Sequence, residues 1–222
     1  FPADVEDDIR HRLNRLRTER DLTGLRHRGG LQEAARLHSL RMQRDSFFAH
    51  DDPDGKGAAD RVAVVDRTGL YRRIGENLGR IAPILAGVAR DMHDGWVNSP
   101  SHFANMIQSE YTHVGVGCVQ DGKETFCAQV FGTLAGTLGG PVPLVLRRGN
   151  TVRLDPKVTP FEFGGWRLED ANETEQGQGT SEILQPPSGL RGTFRLSILG
   201  VERKSATRRL IYTFLGPTIV LE

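Results

Sequence analysis

Residues 136–143, Gly-Thr-Leu-Gly-Gly-Pro-Val-Pro, separate two stretches of this chain with different periodicities. Glycine and proline at this density disfavour regular packed structure, so the stretch reads as a linker between a domain at 1–135 and another at 144–222. A length of 222 residues suits one large domain or two modest ones, and 37% hydrophobic content is enough for packed cores.

Before the break the apolar spacing is mostly helical. Val5, Ile9, Leu13 and Leu16 recur at three and four residues with charges between them, predicting an amphipathic helix over Asp4–Leu22. Leu31, Ala35, His38 and Met42 lie close to one stripe and predict a second over Leu31–Arg44, with Gly29-Gly30 separating the two. A short helix is expected over Ala58–Asp66. Another is expected over Ile84–Val97, burying Leu85, Val88, Ala89, Met92 and Trp96. Ser99-Pro100 has the form of a helix start, a cap residue followed by proline at the first turn, for a short helix ending near Ile107.

Residues 114–132 read as strand, turn, strand. Val114 and Val116 alternate with glycines, Asp121-Gly122 marks the turn, and Phe126, Ala128, Val130 and Phe131 form the return. Cys118 and Cys127 flank the turn. Facing cysteines on such a hairpin form a disulfide in an oxidising compartment, which points to export. The alternative is a pair of small buried thiols in a cytosolic protein.

Beyond the break no helical pattern occurs. Short runs recur instead at 144–146, 151–154, 165–168, 193–198 and 210–214, separated by proline and glycine. They predict a small all-β sandwich, with the immunoglobulin-like arrangement as one form of it, although no Cys-Trp-Cys pattern secures that topology.

The formal net charge of +1 gives no electrostatic case for nucleic acid or an anionic membrane. The apolar run near Ile81–Ala89 contains Pro83 and is far short of the ~20 residues of a membrane span, so no transmembrane segment is expected. No signal-peptide pattern is visible at Phe1; a mature chain would also lack one.

His50, Glu76 and His102 carry the chemistry. Two imidazoles and a carboxylate suit zinc or another borderline divalent metal. Each sits in a distinct frame: Phe47-Phe48-Ala49-His50-Asp51-Asp52-Pro53, Gly75-Glu76-Asn77-Leu78, and Trp96-Val97-Asn98-Ser99-Pro100-Ser101-His102. Together and in this order, with Tyr111-Thr112-His113-Val114-Gly115-Val116-Gly117 after them, the frames resemble the superfamily of cysteine-rich secretory proteins, antigen 5 and pathogenesis-related proteins, the CAP domain, in its shorter bacterial form. The resemblance runs from about Asn14 to Thr133. It implies an α-β-α sandwich with a small antiparallel sheet and a central cleft, giving an α+β fold for the whole chain with the β module after it. It also implies that His50, Glu76 and His102 line the cleft. The second cleft glutamate of larger relatives falls at Ser99 here, leaving at most three protein ligands.

Other candidates carry less. Asp51, Asp52 and Asp54 lack the loop and terminal glutamate of an EF-hand and read as a solvated loop. Ser99 and Ser101 lack the Gly-x-Ser-x-Gly frame of a serine nucleophile. His113 varies in type among bacterial members of the superfamily. The resemblance therefore implies an exported protein, periplasmic, secreted or at the cell surface. It would bind a small molecule, a lipid or a cell-surface component, and zinc or another divalent metal, with the β module for docking. The alternative is a metal-dependent hydrolase or protease on the same three residues, with Glu76 as the base.

Overall fold

The computed structural model describes residues 2–83, 87–205 and 207–222. The chain forms two compact units. The first holds residues 1–62 and 73–133; the second holds 63–72 and 134–222. Residues 63–72 are thus a part of the second unit that lies far from it in sequence.

In the first unit, α1 (Ala3–Thr18) buries Ile9, Leu13 and Leu16, the stripe expected from spacing. It stops earlier than expected. Asp21 has φ +56°, and the N–H groups of Arg20 and Leu22 both turn back to the Arg17 carbonyl. That is the αL ending by which helices satisfy their last carbonyls. A short strand, β1 (Arg26–His27), leads into α2 (Gly29–Arg44). Then follow α3 (Ala58–Val65), β2 (Gly69–Ile81), α4 (Val88–Val97) and α5 (Pro100–Met106). The expected helical residues Ile84 and Leu85 lie outside the described residues. Pro100 occupies the first turn of α5 and Ser99 its N-cap, but the Ser99 side chain makes no capping hydrogen bond.

The hairpin β3 (His113–Gln120) and β4 (Thr125–Thr137) sets the layers of this unit. A Cβ on Gly115 or Gly117 would collide with the α2 backbone at Leu31–Gln32 and Ala35–Arg36, so bare glycine is what lets α2 lie directly on this face. Side chains alternate along a strand. Val114, Val116 and Cys118 therefore point the other way, into a core with Ile9, Leu13, Met92 and Trp96 from α1 and α4. The result is helix, sheet, helix. Strand order here is β1-β3-β4-β2. The sheet is mixed rather than antiparallel, because β1 pairs parallel with β3.

Cys118 and Cys127 are direct partners across the hairpin and form a disulfide, both fully buried. Glu6, only 1% exposed, ties the same strand to both helical layers. Its carboxylate takes Arg36 Nη2 at 2.5 Å and the Cys118 N–H at 2.9 Å.

The second unit is all-β apart from the end of α3. It contains β5 (Val145–Leu146), β6 (Val152–Arg153), β7 (Glu162–Glu169), β8 (Glu175–Gly179), β9 (Ile183–Leu184), β10 (Gly192–Arg203) and β11 (Arg209–Leu221). The order β11-β10-β7-β8 makes one sheet, with β5 parallel on β11 and Tyr71 of β2 opposite Leu215. The pair β6–β9 forms a separate two-stranded sheet. Two facing sheets of comparable size, as in the expected sandwich, are not seen among the described residues.

The 136–143 stretch is structured. β4 runs to Thr137, and Leu138 and Val142 are buried in the core with Leu154, Trp166, Leu168 and Phe214. The Leu138 N–H bonds to the Thr68 carbonyl and the Val142 N–H to that of Arg67. Arg67 then gathers this unit. Its guanidinium donates to the carbonyls of Ala63, Val64, Val142, Pro143 and Thr218 at 2.7–3.2 Å.

Candidate functional site

His50 sits in the bend after α2, on a loop fixed from two sides. His38, fully buried in α2, hydrogen-bonds through Nε2 to the Ala49 carbonyl at 3.0 Å and meets Phe47 edge-on at 5.8 Å. Downstream, Asp52 accepts the backbone N–H of Asp54 and of Lys56 through one oxygen and Arg41 Nη1 through the other. Asp52 is thus a buried turn organiser, unlike the solvated loop residue its sequence suggested. A short polar side chain bonding its own turn leaves no periodic trace in sequence.

Glu76 projects from β2 with a side chain only 3% exposed. Both of its oxygens are engaged. Oε2 lies 3.0 Å from His50 Nδ1, and Oε1 accepts Arg61 Nη2 at 2.6 Å. A carboxylate facing a guanidinium can only accept, so His50 Nδ1 carries a hydrogen, and in the neutral ring Nε2 keeps its lone pair. The hydrogen bond to Glu76 raises the His50 pKa above its ordinary value, against the opposing effect of burial.

Arg61 went unmarked in the sequence. From α3 it also reaches back to the His50 carbonyl at 2.9 Å and the Lys56 carbonyl at 2.7 Å through Nη1. A buried carboxylate requires a compensating cation, and that requirement is the signal that could have prompted a search for it.

His102 lies in α5. Burial lowers its pKa, and the charge of His50 lowers it further, so the two rings sense one another. The backbone around it is tied to β2. Asn77 Nδ2 donates to the His102 carbonyl at 3.1 Å and to Gln129 Oε1 at 3.2 Å. Asn105 Nδ2 donates to the Glu76 carbonyl and to Asn77 Oδ1. The Asn77, Asn105 and Gln129 side chains thus hold α5 against the strand bearing Glu76. Trp96 is core, donating its indole N–H to the Leu78 carbonyl at 2.8 Å. His113 is buried and bonds the Thr112 hydroxyl.

Among the described residues no group of three or more His, Cys, Asp or Glu side chains is set to hold an ion. Glu76 gives one oxygen to Arg61 and the other to His50. What the arrangement leaves available is imidazole, with His50 Nε2 on a side chain that is 60% exposed.

Comparison with known proteins agrees in extent with this first unit. The model of the CAP, cysteine-rich secretory protein, family matches residues 10–132. The Bacillus subtilis protein YkwD is 28% identical over 93 residues, 42% of this chain and 34% of that protein. An extracellular protein containing an SCP domain from Bacillus anthracis superposes with a TM-score of 0.50 at 29% identity, covering 58% of this chain and 40% of that one. An outer surface protein of Borrelia burgdorferi gives a TM-score of 0.50 at 18% identity over 59% of this chain and 93% of that one, a likeness of fold alone. The chain thus spans about a third of YkwD and two-fifths of the Bacillus anthracis chain.

Proposed function

The chain belongs to the cysteine-rich secretory protein, or CAP, family, and on that premise we propose that its first unit is an extracellular binding module acting through His50 and His102. The observation that carries this reading is the Glu76–His50 contact, which takes up Nδ1 and leaves Nε2, in the neutral ring, with its lone pair on an exposed side chain. Carboxylates that orient a histidine from behind are a recurrent device of metal and ligand sites. A divalent ion such as zinc would be held by the two imidazoles, with Glu76 behind His50. It would supply an exchangeable positive centre for an oxygen-bearing ligand. Hydrolysis with Glu76 as base gains nothing here, since both of its oxygens already accept hydrogen bonds.

An extracellular setting fits the buried Cys118–Cys127 disulfide and the described location of the Bacillus anthracis relative. No helix among the described residues is long and apolar enough to cross a membrane. The second unit would be an accessory β module for docking to cell-surface material, a reading by analogy with other exported proteins.

Calorimetric zinc titration of the parent, His50→Ala and His102→Ala tests the site. Binding in the parent and its loss in both variants is expected. Equal binding in all three would send zinc elsewhere. Metal analysis and lipid mass spectrometry of protein purified without chelator would identify a resident ligand.

A further inference from the structure

We propose that Arg61 is a positioning residue that occupies one end of the side chain at position 76, so that only a carboxylate there can still accept from His50 Nδ1 and leave Nε2 bare. The proposal concerns the same site as the binding reading and rests on that reading only for the use made of the nitrogen. Arg61 bridges three segments: its own helix α3, the loop carrying His50 and Lys56, and Glu76 on β2. Its side chain is 10% exposed and that of Glu76 3%, so water competes little for either group.

A guanidinium has donors only. Whatever it faces must accept. In the native pair this costs nothing, because a carboxylate accepts at both oxygens. One oxygen goes to Arg61 and the other remains an acceptor for His50 Nδ1–H. The same logic makes an amide at position 76 behave differently. Glu76→Gln has one accepting end and one donating end. Arg61 claims the oxygen, and the NH₂ is left facing His50 Nδ1. That nitrogen must then accept, which moves the hydrogen to Nε2 and removes the outward lone pair. Without Arg61 the amide is free to turn its oxygen toward Nδ1–H instead.

The tautomer is read directly. Long-range ¹H–¹⁵N correlation spectra of the ¹⁵N-labelled full chain, taken above the histidine titration range, distinguish protonated from bare ring nitrogen. The parent is expected to show His50 as Nδ1–H. Glu76→Gln is expected to show it as Nε2–H. Arg61→Met combined with Glu76→Gln is expected to move back toward Nδ1–H. A purely structural role for Arg61 would not reverse a tautomer. Retention of Nδ1–H in Glu76→Gln would overturn the proposal, as would a double variant that flips as fully as Glu76→Gln alone. If Arg61→Met fails to fold, as judged by loss of cooperative thermal unfolding, Glu76→Gln in the native Arg61 background still decides the matter. Zinc affinity in Glu76→Gln should fall by about ten- to a hundred-fold, the usual effect of losing such a partner. The two readings fail separately. A parent that binds no zinc removes the metal reading and leaves the tautomer result intact.

Discussion

The Tyr111 hydroxyl occupies the space that a Cβ on Gly75 would need. Tyr111 is buried and stacks on Phe131 with ring centroids 5.1 Å apart, so it cannot swing away. The glycine next to Glu76 is therefore a packing requirement. It lets β2 approach Tyr111 and brings Asn77 within reach of Asn105 and Gln129.

Gly75→Ala should destabilise the first unit by about 1–3 kcal/mol, the usual range for overpacking. Tyr111→Phe in the same chain should recover part of that loss, because the hydroxyl is the nearest obstacle. Urea denaturation of the two single variants and the double variant would show this as a coupling between neighbours. Strict additivity would mean that the strand moves aside without cost.

Acid should weaken the first unit. Burial lowers the pKa of His38, His93 and His102 below the ordinary 6.5. A histidine kept neutral by the fold binds a proton more readily when unfolded. Stability should therefore be full above about 6.5 and decline as pH falls below it. His50, raised by its bond to Glu76, acts in the opposite sense, but its exposure discounts the effect. His93 is the clearest test, since its Nδ1 is buried with no hydrogen-bond partner among the described residues. Denaturation midpoints measured between pH 7.5 and 5 should fall, and His93→Leu should flatten the slope. An unchanged slope would assign the acid response to the other histidines.

Arg67 should hold the second unit together. Its guanidinium is desolvated, which lowers its pKa, and it is spent entirely on backbone carbonyls. Arg67→Met should cost at least about 2 kcal/mol, because charged hydrogen bonds to buried acceptors are lost. Arg67→Lys should recover less than half, since an ammonium cannot span the same carbonyls. Hydrogen exchange read by mass spectrometry should place the loss of protection in residues 63–72 and 134–222. Protection lost equally throughout residues 1–62 and 73–133 would contradict a role confined to this unit.

The sequence by itself determined the elements whose physics is local. Ile9, Leu13 and Leu16 form a stripe at helical spacing, and burying a stripe requires only a neighbour. Asp121-Gly122 fixes a turn, and a fixed turn sets Cys118 opposite Cys127. The frames of His50, Glu76 and His102 were legible through family resemblance, without any geometry. Only the tertiary structure decided what those residues do. Arg61, His38, Asn77, Asn105, Gln129 and Arg67 act through side-chain hydrogen bonds, many of them to partners distant in sequence, and such bonds follow no period. The strand β8, Glu-Gln-Gly-Gln-Gly, has no apolar alternation at all and is a strand because β7 offers it backbone partners. Residues 63–72 join the second unit for the same reason: Leu70 finds its core, and Arg67 three of its five carbonyls, among residues more than sixty positions away.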